Sequence, residues 1–155
     1  MTIKAVRYLV VHCAATPPSR DIGVREIRAM HKKRGFADVG YHYVIRRDGR
    51  VEKGRADNVV GAHVSGFNSI SLGICLVGGV DAKGKPEDNF TPLQYQALEG
   101  LLITLGRSHP SAQILGHRDL SPDANGDGKI TPNEWLKACP CFDVRAWLNT
   151  RGIRK

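Results

Sequence analysis

Two short apolar runs far apart in the chain end in histidine: Tyr8-Leu9-Val10-Val11 leads into His12, and Ile114-Leu115-Gly116 into His117. Runs this short and this aliphatic read as buried strands. Neighbouring strand ends lie close together in a sheet, so histidines at such ends can converge on one point. Cys139, in the Pro-bounded turn Lys137-Ala138-Cys139-Pro140, is a third residue able to reach that point. Two imidazoles and one thiolate leave the fourth tetrahedral position of zinc to water, the arrangement of catalytic sites. Taken singly, each residue has a plainer reading, since a strand-end His is commonly satisfied inside the protein and a Cys packs as a small hydrophobe. Cys141 competes with Cys139 for the ligand role, whereas Cys13 and Cys75 sit in apolar runs and read as core.

The rest of the pattern predicts a single α/β domain over residues 1–155, a central mixed sheet flanked by about three helices with the metal in a surface groove. Ala5 to Val11 reads as a central strand. Val24 to Arg34 places Val24, Ile27 and Met30 at helical spacing and stops at Gly35. Tyr41 to Arg47 reads as a strand, Asp48-Gly49 as a hairpin turn and Arg50 to Gly54 as its return. Ser71 to Val77 is a further buried strand. Thr91, Pro92 and Gln94 form a capping box for a helix reaching about Ser108, Ile114 to Gly116 is the last strand, and Asp143 caps a final helix through Trp147.

At 155 residues the chain can bury a core without disulfide staples. Its four cysteines, with no apolar leader in Met1 to Arg7, point to thiols and metal and to retention in the cytoplasm until release. No stretch reaches the length of a membrane span, so no membrane insertion is expected. The net charge of +8 favours an anionic partner, and nucleic acid, an anionic cell wall or a lipid surface are all admissible on charge alone. The basic residues are dispersed, with short clusters at Arg46-Arg47 and His31-Lys32-Lys33-Arg34, and lack interleaved aromatics, so no nucleic acid is expected as partner.

Residues 123–134 fit a twelve-residue calcium loop. Asp123, Asn125 and Asp127 occupy positions one, three and five, Gly128 the turn, Lys129 the carbonyl position and Glu134 the bidentate position. Thr131 to Glu134 is equally a capping box, and the Asn-Gly and Asp-Gly pairs are ordinary turn chemistry. Leu120-Ser121-Pro122 leaves no room for an entering helix, so the expected role of Ca2+ is to staple the excursion between His117 and Cys139 rather than to sense.

Five blocks together carry a resemblance: Val10 to Thr16, Val39 to Ile45, Gly61 through Gly73 with His63, Asn68 and Ser71, the turn Gly116 to Asp119, and Lys137 to Pro140. In this order they resemble the zinc-dependent N-acetylmuramoyl-L-alanine amidases of the type 2 class, most closely the phage endolysins, with peptidoglycan recognition proteins as distant kin. The resemblance implies Zn2+ on His12, His117 and Cys139, with Cys141 outside the ligand set. It also implies Tyr41 and Lys137 as catalytic side chains, His63 and Asn68 at the substrate cleft, and bacterial peptidoglycan as the partner of a monomer. Zinc would acidify a water and polarise the scissile carbonyl. A partly desolvated Lys137 would donate to the oxyanion, with Tyr41 bonding the water or the intermediate. The stretch between His117 and Cys139 departs from the short phage members in carrying the calcium-type loop. The alternative is a module that binds peptidoglycan without cutting it.

Overall fold

In the computed structural model, which describes residues 1–153, the alternation of side chains along each strand decides what lies on either side of one sheet. Strands β1 (Tyr8–Cys13), β2 (Tyr43–Ile45), β3 (Val51–Lys53), β4 (Ser71–Leu76) and β5 (Gln113–Gly116) are ordered β3-β2-β4-β1-β5. β1 runs parallel to both β4 and β5, β2 runs parallel to β4, and β3 pairs antiparallel with β2 through the predicted hairpin. The sheet is mixed, as the sequence predicts.

Leu9, Val11, Leu72, Ile74, Leu76 and Ile114 join one buried cluster with Leu98, Leu102 and Leu105 of helix α2 (Pro92–Ser108) and with Val144 and Leu148 of helix α3 (Val144–Thr150). On the opposite face Val44, Cys75 and Val77 pack with Ile27 of helix α1 (Val24–Lys33). Both faces of β1 and β4 are therefore covered, which is why these strands read as near-continuous apolar runs. Among the described residues no helix is long and apolar enough to cross a membrane.

Helix α2 begins as the sequence requires. Thr91 Oγ1 accepts from the Gln94 amide at 3.1 Å and Gln94 Oε1 accepts from the Thr91 amide at 3.0 Å. Asp143 likewise caps α3 by accepting from the Ala146 amide, and α3 continues to Thr150, beyond the expected end at Trp147.

The ends of β1 and β2 differ from expectation by two or three residues, and those of β3, β4 and β5 by at most one. β1 starts at Tyr8 rather than Ala5 and continues through His12 to Cys13, because β4 supplies partners as far as Leu76. β2 is confined to Tyr43–Ile45, so Tyr41 lies just outside it, its carbonyl accepting from the Arg55 amide. A strand ends where its neighbours end, and hydropathy does not carry that information.

Candidate metal centre

His12 enters the site from the α1-facing side of β1. His117 follows β5 as the first residue of a 3-10 turn, His117–Leu120. Cys139 is brought over by the returning chain, where the Arg118 amide donates to the Cys139 carbonyl at 2.9 Å. Gly116 makes this approach feasible, since a Cβ there would stand 2.8 Å from Cδ of Pro140. One nitrogen of His12, one of His117 and Sγ of Cys139 all lie within 4.8 Å of one another. Zinc takes imidazole nitrogen and thiolate sulfur at about 2.0–2.3 Å, which suits the 3.8 Å between Cys139 Sγ and His12 Nδ1.

The donors suit zinc chemically. Cys139 Sγ accepts from the Cys13 amide at 3.1 Å and lies 3.8 Å from His12 Nδ1. Burial first, then the neighbouring His63 and His117 rings and the Lys137 charge, pushes the His12 pKa well below its ordinary value. Burial and Lys137 lower His117 to about 4. Both rings therefore stand neutral at neutral pH, as metal ligands must.

Cys141 does not join this triangle. Its thiol donates to the Gly79 carbonyl at 3.1 Å and lies 3.9 Å from Cys13 Sγ. Cys13 and Cys75 are buried, as expected of core residues.

The site opens into a groove of about 660 Å³ lined by His12, His117 and Cys139 together with Tyr41, His63, Asn68 and Lys137. The Tyr41 ring lies 5.1 Å from that of His12. Burial, followed by the nearby Cys75, Cys139 and Cys13, raises its pKa well above the ordinary phenol value. Lys137 is exposed, which corrects the expectation of partial desolvation: it sits at the rim, where solvent reaches the ammonium. His63 is buried, with Nδ1 2.8 Å from His12 Nε2 and Nε2 3.1 Å from Ser71 Oγ. Asn68 Oδ1 accepts from the amides of His63 and Val64.

Two residues of the site carry roles that their sequence neighbourhood does not display. His31 belongs in sequence to a short basic cluster, yet it is buried on α1, lines the groove and accepts from the Gly40 amide through Nδ1. Its position four residues after buried Ile27 was the available signal. Ser71 stands in the sequence as the start of a strand and as part of one block of the resemblance, and nothing local marks its bond to His63.

The calcium-type loop folds largely on itself. Asp123 accepts from the amides of Gly126 and Gly128, Asn125 from that of Asp127, Asp127 from that of Lys129, and Glu134 from those of Thr131 and Asn125. Carboxylate oxygens of Asp123, Asp127 and Glu134 lie within 4.8 Å of one another.

The sequence matches the family model described as N-acetylmuramoyl-L-alanine amidase over residues 3–134. It is 51% identical over 139 residues to an endolysin of Klebsiella phage KP32, covering 90% of this chain and 83% of that one. In fold it is similar to the N-acetylmuramoyl-L-alanine amidase LysC from Clostridium intestinale, with a TM-score of 0.74 at 24% identity over 96% of this chain and 87% of the other. Bumblebee PGRP-SA shares the fold at a TM-score of 0.71 and 20% identity, covering 95% and 82% of the two chains.

Proposed function

The chain belongs to the N-acetylmuramoyl-L-alanine amidase family, and on that premise we propose that it lyses bacterial cell walls as a zinc-dependent, endolysin-type hydrolase. The bond cut is the amide between the lactyl group of N-acetylmuramic acid and the first L-alanine of the stem peptide. The observation that carries the zinc reading is the convergence of His12, His117 and Cys139 at the floor of one groove.

His12, His117 and Cys139 would hold the ion. When bound, zinc supplies a water acidified towards neutrality and a Lewis acid for the scissile carbonyl. Tyr41 keeps its proton at neutral pH because burial disfavours the phenolate, which suits a donor to the oxyanion that develops on the carbonyl oxygen. Lys137 at the rim brings an ammonium near the same point and can hand a proton to the leaving amine, then recover it from solvent. The groove walls offer a surface along which the stem peptide can lie.

The reading takes the whole chain as one catalytic unit acting as a monomer, held in the cytoplasm until it is released to the wall. Calcium at residues 123–134 is a separate part of it, supported by ligand spacing and by the clustered carboxylates. A calcium-selective chelator should then lower the melting temperature, and an unchanged melt removes calcium from the account.

The test of the activity is mass spectrometry of purified peptidoglycan after incubation, with and without a zinc chelator. Stem peptides beginning with L-alanine should appear, vanish on chelation and return with added zinc. No released peptide from folded, zinc-loaded protein would instead indicate a binding module.

A further inference from the structure

We propose that His63 and Ser71 are positioning residues that fix the tautomer of His12, so that its Nδ1 rather than its Nε2 faces the metal; this rests on the zinc reading above. Ser71 Oγ lies 2.8 Å from the Phe67 carbonyl, which can only accept, so the single hydroxyl proton is committed there. Towards His63 Nε2, at 3.1 Å, Oγ is then an acceptor, and the hydrogen sits on Nε2. A neutral imidazole carries one N–H, which leaves His63 Nδ1 bare. That bare atom is 2.8 Å from His12 Nε2, so His12 donates, and its own Nδ1 is left with a free lone pair. Nδ1 is also the His12 atom 3.8 Å from Cys139 Sγ, on the metal-facing side.

The surroundings hold the relay in place. A Cβ at Gly61 would stand 2.9 Å from Cδ2 of His63 and one at Gly73, on β4, 2.6 Å from Cγ, so both glycines leave the room that the ring fills. Asn68 pins the backbone of the same loop from beneath through the amides of His63 and Val64. A metal-binding histidine ordinarily gives its second N–H to a carboxylate, a carbonyl or water. Here the acceptor is a second imidazole, which has no fixed polarity of its own. Ser71 supplies that polarity. His63 and Asn68 are thereby assigned to the metal ligand rather than to direct recognition of substrate.

The experiment is a long-range nitrogen–proton correlation spectrum of the zinc-free protein at neutral pH, repeated on Ser71→Ala, together with zinc affinity measured by chelator competition. In the parent protein His12 and His63 should both carry the proton on Nε2. Ser71→Ala should give mixed His12 tautomers and bind zinc more weakly by about 10- to 100-fold. An Nδ1–H form of His12 in the parent, or a Ser71→Ala protein with unchanged tautomer and affinity, overturns the proposal. The parent spectrum decides it even where the variant misfolds. An active amidase with Nδ1–H at His12 would sink the relay and spare the function, whereas the Nε2–H form in a protein that releases no stem peptide would do the reverse.

Discussion

A Cβ placed on Gly73 would stand 2.6 Å from Cγ of His63, so a glycine in the middle of a fully buried strand is what admits the imidazole to the site. Glycine weakens a strand interior, and its use here marks a close approach.

Gly73→Ala should therefore destabilise the zinc-free protein by about 1–3 kcal/mol through overpacking, although alanine is the better strand residue. A thermal melt checks this, with a fall of several degrees expected. An unchanged melt would mean that the ring moves aside freely.

Gln94 is tied into a buried network as well as capping α2. Its side-chain oxygen accepts from Arg47 Nη1 at 3.0 Å, and its amide donates to the carbonyls of Ile45 and Val77. Gln94→Ala would strand these partners and cost about 2–4 kcal/mol in urea unfolding, while zinc affinity stays within about twofold because the network lies on the α2 side of the sheet. A loss under about 0.5 kcal/mol would show the network to be dispensable.

What the chain disclosed in advance follows from where its physics is local. The start of α2 is legible because Thr91, Pro92 and Gln94 act on their own helix, whereas His12, His117 and Cys139 stand out as a set only through the motif blocks around them. The inward turn of His31, the extension of β1 past His12 and the partnership of Ser71 with His63 depend on residues distant in sequence. Gln94 shows both sides: its cap is readable in the sequence, and its bonds to Ile45 at the end of β2 and to Val77 just past β4 are not.

Acid should weaken the metal-free fold. Burial is the leading cause of the lowered pKa at His12, His31, His42, His63 and His117, the last two reaching about 3 and about 4. The unfolded chain takes up protons near pH 6.5 that these rings refuse, so stability is full above that pH and falls as pH drops towards the folded values. Each such ring contributes a slope of about 1.4 kcal/mol per pH unit within its window. Urea midpoints of the zinc-free protein should be lower at pH 5.5 than at pH 7.5, and equal midpoints would contradict the assignment.

The net charge of +8 should act at long range on an anionic envelope. Raising salt screens that attraction, so activity on whole cells should fall more than activity on soluble muropeptides. Equal losses on the two substrates would place the salt effect inside the groove.

Zinc K-edge X-ray absorption of the loaded protein reads the ligand atoms themselves, without reference to activity. One sulfur at about 2.3 Å and three nitrogen or oxygen neighbours at about 2.0–2.1 Å are expected for His12, His117, Cys139 and a water. A first shell without sulfur, or with two sulfurs, would contradict the site.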